Sequence, residues 1–177
     1  MGIPPGVSRL RGFPPIAAAD ARILVLGTLP SPESLARQQY YGHPRNAFWR
    51  IMGKLLGFDA GAPYAERAAQ LPHHGIALWD VCERAERRGA LDADIDARSV
   101  RPNDLRAFLA AHRRIERIGF NGTAAAALFR RCVEPGLDAR MRAIHRSVLP
   151  STSPAHAGRS FEQKLDAWRK FLLGVSG

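Results

Sequence analysis

Arg22-Ile23-Leu24-Val25-Leu26-Gly27-Thr28-Leu29-Pro30-Ser31-Pro32 is the stretch on which the fold turns. Ile23 to Leu26 is an unbroken apolar run ending at a glycine, which predicts a strand over 22–26 buried on both faces. Residues 28–32 are dense in helix and strand breakers and predict a loop. The same alternation repeats outward. Phe48, Trp49, Met52, Leu55 and Leu56 recur at helical spacing, so 46–56 is expected as a helix stopped by Gly57. A second apolar run predicts a strand over 75–81 and Pro102 precedes a helix over 103–111. Strands over 115–120 and 144–149 enclose a helix over 123–131, and a loop covers 150–157. The last helix, 160–173, carries Leu165, Trp168, Phe171 and Leu172 on one stripe, which places Trp168, like Trp49, in the core.

Strands alternating with helices predict an α/β layer structure with a mainly parallel sheet. Such sheets bind ligands beyond the carboxyl ends of their strands. Four segments are expected there: the loop after Gly27, Asp80, the Asn121-Gly122 turn, and Ser151-Thr152-Ser153-Pro154. The 177 residues suit one domain, expected over 21–177. Pro4, Pro5, Pro14 and Pro15 mark 1–20 as a tail in which Arg9, Arg11 and Phe13 lie loosely on the surface.

Lys plus Arg number 26 against 16 acidic residues, a formal net charge of +10, which suits a polyanionic partner and nucleic acid first. All but Lys54, Lys164 and Lys170 of these cations are arginines, so a compositional bias toward Arg also contributes. No apolar run nears the about 20 residues of a membrane span, and no secretory signal is evident, so a cytoplasmic, membrane-free protein is expected. Cys82 and Cys132 form no CxxC pair, which argues against a cysteine-built metal or cluster site; free thiols and no cofactor are expected. Walker, dinucleotide and zinc-deaminase signatures and the Gly-x-Ser-x-Gly elbow are missing. What remains are loops of Pro, Ser, Asn, Tyr and His, suited to hydrogen bonding and stacking.

Gly27-Thr28-Leu29-Pro30-Ser31 followed by Tyr40-Tyr41-Gly42-His43-Pro44-Arg45-Asn46-Ala47-Phe48-Trp49 resembles the uracil-DNA glycosylase superfamily. Leu78-Trp79-Asp80-Val81, Phe120-Asn121-Gly122 and Leu149-Pro150-Ser151-Thr152-Ser153-Pro154-Ala155 extend the likeness to its hypoxanthine-DNA (deoxyinosine) glycosylase branch, relatives of the mismatch-specific enzymes. The resemblance spans roughly 23–171. It implies a three-layer α/β/α sandwich around a short parallel sheet. It also implies a monomeric, monofunctional enzyme that flips a deaminated base out of double-stranded DNA and hydrolyses its N-glycosidic bond. Mismatch-specific relatives carry an Asn where Leu29 stands, and uracil-specific enzymes carry an Asp in this loop. Both are missing, so by resemblance the activating role passes to Asn46.

An amide is no base, but its carbonyl can orient a water beneath the anomeric carbon, which suffices when bond breaking leads and the transition state is oxocarbenium-like. The other reading of Asn46 is a helix N-cap. Tyr41 sits where the family stacks an aromatic on the flipped base; otherwise it packs, as Tyr40 is expected to. Asn121 is expected either to hydrogen-bond the base edge or to serve as a turn residue before Gly122. Gly27, Thr28 and Leu29 complete the base-binding set. Asp80 either positions water or caps a loop. Pro30, Ser31, His43, Arg45, Ser151, Ser153, Ala155 and His156 are the candidates for backbone contact or for the wedge that fills the gap in the stack, although Ala155 is small for that task. A Pro-braced surface turn is the other reading of 151–157. No lysine lies near the motifs, so no Schiff-base step is expected. Three further readings stay open: a uracil or mismatch glycosylase, a catalytically inactive nucleic-acid-binding module, and a hydrolase of free nucleosides.

Overall fold

The computed structural model describes residues 8–174. Its strands are β1 (Ser8–Arg11), β2 (Ile23–Gly27), β3 (Ile76–Asp80), β4 (Cys82–Arg87), β5 (Arg101–Pro102), β6 (Arg117–Asn121) and β7 (His145–Leu149). Its α-helices are α1 (Pro32–Arg37), α2 (Phe48–Leu56), α3 (Tyr64–His73), α4 (Leu105–Ala111), α5 (Thr123–Cys132), α6 (Ala139–Arg142) and α7 (Phe161–Leu173).

The central sheet runs β3-β2-β6-β7, with every pair parallel. Every residue of β2 is buried, as its apolar run requires of a strand covered on both faces. Leu24 and Leu26 point into one apolar cluster with Leu105, Leu109, Ala125 and Phe129 of α4 and α5. Ile23 and Val25 point into the other, with Phe48, Met52, Leu71 and Trp168 of α2, α3 and α7. Residue parity along one strand thus builds the helix–sheet–helix sandwich. The chain leaves β2 for β3 on one side and then crosses to β6 on the other, so the order reverses between β2 and β6. Crevices open at such switch points, beyond the strands' carboxyl ends.

Each expected strand and helix of this sandwich forms, its ends displaced by a residue or two. Four features were not expected, the one-turn helix α6 before β7 among them. α1 grows out of the breaker-rich loop: Ser31 caps it by accepting from Ser34 N, and Pro32 occupies the first turn. α3 fills a stretch that had no expected element. A small antiparallel sheet, β1-β4-β5, flanks the domain. It corrects the surface-tail reading of residues 8–20. β1 pairs with β4, Arg9 and Arg11 meet Glu86 and Glu83, and Phe13 lies edge-on to Tyr40 at 5.2 Å. Pro14 and Pro15 end that strand without detaching the segment, because the Pro14 carbonyl accepts from the Tyr40 hydroxyl at 2.9 Å. Pro4 and Pro5 lie outside the described residues. No described helix is long and apolar enough to cross a membrane.

Candidate active site

A cleft of about 580 Å3 opens at the switch point, bordered by the ends of all four strands: Gly27, Asp80, Asn121 and Leu149. This volume falls within the range typical of ligand sites.

The floor is set by close approach of two strands. A Cβ on Gly27 would stand 2.4 Å from Asp80 Oδ1 and 3.0 Å from the Tyr41 hydroxyl, so only glycine lets the three meet. Asp80 is 3% exposed, and its Oδ2 has no hydrogen-bond partner among the described residues. Burial, reinforced by the Asp92 carboxylate and opposed by Arg87, lifts its pKa to about 7. The Tyr41 hydroxyl is likewise buried and unpartnered, and burial raises its pKa far above the usual phenol value. Tyr41 has φ 53°, a left-handed conformation that costs a bulky residue roughly 1–2 kcal/mol. Ser34 holds this turn by accepting from Gly42 N at 3.0 Å, and Phe48 backs the ring at 4.2 Å between centroids. The aromatic is thereby fixed at the cleft wall. Tyr40 and Trp49 lie beneath it in the core, 3% and 4% exposed.

On one side of the cleft, polar side chains join α2, β6 and the 150–157 loop. Asn46 Oδ1 accepts from Phe48 N, the first residue of α2, at 3.0 Å, while the N-cap position itself is Ala47, which makes no side-chain cap bond. A carbonyl has two lone pairs, so one remains, and Nδ2 has no partner among the described residues. That turn bond and a solvent-orienting role are compatible. Ala47 N donates to Thr152 O at 3.0 Å. Asn121, 6% exposed, gives Nδ2 to Thr152 Oγ1 and takes Thr152 N on Oδ1, both at 2.9 Å. That clasp occupies both ends of its amide, so Asn121 acts first as a tie between β6 and the loop. Gly122, at φ 101°, supplies the turn expected there. The loop is braced from α7 as well: Lys164 Nζ donates to His156 O at 2.8 Å and Trp168 Nε1 to Pro150 O at 3.1 Å.

Charged groups hold the opposite side. Thr28 Oγ1 donates to Asp92 Oδ1 at 2.6 Å. Arg87, 2% exposed, donates to Pro30 O at 2.8 Å and lies 3.5 Å from Asp92. Leu29 packs with Cys82, Ala85 and Val100 and so forms a buried wall.

Of the expected site residues, the cleft lining therefore gathers Gly27 to Ser31, Tyr41, Asn46, Asp80, Asn121, Ser151, Ser153, Ala155 and His156. His43 and Arg45 are not in it. They sit on the outer part of the Tyr41–Asn46 turn, where His43 Nδ1 accepts from Arg45 N. The hydroxyl oxygens of Ser151 and Ser153 accept from Ser153 N and Ala155 N, leaving each O–H available as a donor. Sequence reasoning missed Ser34, Arg87, Leu91 and Asp92, and it placed Thr152 in the site loop without a role. An N-cap Ser followed by Pro was a readable signal for Ser34's helix; a buried Arg between two charged strands offered none.

A model of the uracil DNA glycosylase superfamily matches residues 14–173, nearly the whole chain. The chain belongs to this superfamily. Two members with which it shares most of its length are named hypoxanthine DNA glycosylase. That of Methanosarcina acetivorans is 37% identical over 147 residues, 82% of this chain and 87% of the relative. That of Methanosarcina barkeri is 32% identical over 159 residues, 89% and 94%. The NMR solution structure of a provisionally assigned uracil DNA glycosylase from M. acetivorans superposes with a TM-score of 0.74 at 33% identity, covering 93% of this chain and 99% of that one. In this superfamily member no described group of three or more His, Cys, Asp or Glu is disposed to hold a metal.

Proposed function

We propose that the chain is a DNA glycosylase that extrudes hypoxanthine from deoxyinosine-containing duplexes and cleaves its N-glycosidic bond to leave an abasic site. The observation that carries the reading is Asn46, whose amide lines the cleft with a free carbonyl lone pair and a free N–H2. The names and extent of the Methanosarcina relatives support hypoxanthine as the base.

In this reading the base enters the cleft and stacks on Tyr41. Stacking on an aromatic is worth about 1–3 kcal/mol per base, and a purine offers the larger face. Asn46 Oδ1 accepts from a water and turns its oxygen toward the anomeric carbon. As the glycosidic bond lengthens, positive charge grows on the sugar and the base departs with the bonding electrons. The water adds to the sugar and releases a proton to solvent. The oriented amide supplies position rather than basicity. Asp80 is too buried to reach the substrate through Oδ2, but its carboxylate favours the developing cation across low-dielectric protein. The O–H groups of Ser151 and Ser153 and the excess of arginine suit the phosphates flanking the lesion. The protein works as a monomer without a bound cofactor.

The test uses end-labelled duplexes carrying one deoxyinosine, deoxyuridine, deoxyxanthosine or G:T mismatch, incubated without metal and then treated with alkali. Breaks that need alkali and are strongest at deoxyinosine are the expected result. Preference for deoxyuridine or the mismatch would reassign the base. A protein that binds duplex with a steep salt dependence but releases nothing would be the inactive binding module.

A further inference from the structure

Arginines stand directly opposite one another across all three strands of the small antiparallel sheet. Arg11 of β1 is the cross-strand partner of Arg84 of β4, and Arg84 is the partner of Arg101 of β5. Ala85 and Val100 are buried against Leu29 and Leu10 is half-buried with them, so alternation turns Arg11, Arg84 and Arg101 to the outer face. All three are exposed. Neighbouring strands lie about 4.8 Å apart, so the three positions fall within about 10 Å.

Like charges directly opposite each other destabilise a sheet. Glu83 offsets part of this, 3.5 Å from Arg11 and 3.9 Å from Arg84. Arg101 forms no ion pair among the described residues. Arg9 shares the outer face but is matched by Glu86, its cross-strand partner, at 3.0 Å. The acids of the turn after β4 are engaged elsewhere: Asp92 accepts from Thr28 in the cleft, Asp94 from Leu91 N, and Asp96 from Arg98 N. Charge on an outer strand guards against the addition of a further strand, which accounts for Arg11 and Arg101. It does not account for Arg84 on the middle strand. A chain rich in arginine explains how many there are, but not their register.

We propose that Arg11, Arg84 and Arg101 form a second DNA contact, which holds the phosphate backbone of the substrate duplex to one side of the lesion. The proposal rests on the glycosylase reading above. The inner face of the same sheet packs on Leu29, the buried wall of the cleft, so the row lies outside that wall. A duplex with one nucleotide in the cleft continues past it. Its charge is complementary, one negative charge for about every 1.7 Å of axis, and guanidinium groups pair with phosphate through two parallel hydrogen bonds. Phosphate oxygens between the arginines relieve their mutual repulsion. What weakens the free sheet therefore strengthens the complex.

Affinity for a duplex of about 30 base pairs carrying one deoxyinosine is measured across a range of salt concentrations. The variant combining Arg11→Gln, Arg84→Gln and Arg101→Gln binds about ten- to a hundredfold more weakly at physiological salt, and the slope of log affinity against log salt is shallower by about two to three. Arg11→Lys, Arg84→Lys and Arg101→Lys together keep most of that slope. The glutamine variant melts no lower than the wild type, and higher at low salt, because the repulsion is gone. A control combines Arg113→Gln, Arg114→Gln and Arg142→Gln, three exposed positions that precede β6 and β7 at the end of the sheet away from the cleft. It loses the same charge and stays within about threefold of the wild-type affinity. An unchanged slope in the row variant, an equal loss in the control, or a loss of affinity that follows a lowered melting temperature would each overturn the proposal. Affinity is read apart from base release. A wild type that binds duplex but frees no base overturns the glycosylase reading, whereas base release with an unchanged slope in the row variant overturns the second contact alone.

Discussion

The two sides of the cleft are held by different kinds of bond. On the β6–β7 side, Asn46, Ala47, Asn121 and Thr152 are joined by amide, hydroxyl and backbone groups. None of those groups changes charge near neutral pH. On the β2–β3 side, Thr28, Arg87 and Asp92 form a charged cluster beside the buried Asp80, whose pKa of about 7 puts it halfway through its titration at neutral pH. The amide side fixes geometry under all conditions, whereas the charged side answers to pH. The difference separates the position of the nucleophile from the field in which the bond breaks.

The largest effect should come from the amide side. Asn46→Ala removes the group that orients water, and the rate of base release should fall about 10²–10³-fold at every pH tested. Duplex binding survives, and the lost hydrogen bond from Phe48 N costs only about 1 kcal/mol of stability in a urea titration. Retention of full excision by this variant would move the chemistry to the charged side and dissolve the contrast.

Asp80 sharpens the contrast next. Its folded-state pKa lies above the ordinary 3.8, so the native state keeps a proton that the unfolded chain has already lost. Its contribution to stability therefore declines as pH rises from about 4 to about 7, by a few kcal/mol, and is level above that. The difference between wild type and Asp80→Asn in urea titrations isolates this slope from the other carboxylates. The same ionisation adds negative charge beneath the cleft, so excision by the wild type should rise through pH about 7 while Asp80→Asn shows no such rise. Parallel stability curves for the two proteins would show that Asp80 ionises normally in the fold.

What the sequence disclosed follows the same division. The parallel sheet was legible because β2 and β3 are buried on both faces and carry near-continuous apolar runs. The three-layer arrangement and the site roles of Tyr41 and Asn46 came from family motifs, whereas the strand pattern alone put the loops bearing Asn121 and Ser151 at the sheet's carboxyl edge. The small sheet was not legible. β4 reads Cys-Glu-Arg-Ala-Glu-Arg, has a register shift between Cys82 and Arg84, and buries Arg87 with Ala85, so neither alternation nor polarity reports its inward face. β1 is Ser-Arg-Leu-Arg, mostly exposed and without an apolar pattern, and it is a strand because its backbone pairs with β4. The charged side was hidden because its contacts join residues 57 and 64 positions apart without an apolar pattern. Asn121 was found for its position in a motif, but its partner Thr152 could emerge only from tertiary contact.

The smallest effect separates the two roles open to Asn121. As a clasp, it holds Thr152 by two bonds, only one of which uses the threonine hydroxyl. Asn121→Ala should cost about 2–3 kcal/mol of stability, because it leaves the buried Thr152 N–H without a partner. Thr152→Val removes only the hydroxyl bond and should cost about 1 kcal/mol, and the double variant should fall short of the sum by a similar amount. Excision by Thr152→Val should drop with the placement of the 150–157 loop, although threonine itself has been given no contact with the base. If Asn121→Ala instead abolished excision at unchanged stability, and Thr152→Val altered neither, the amide would belong to the base edge, and the β6–β7 side would read the substrate as well as hold the frame.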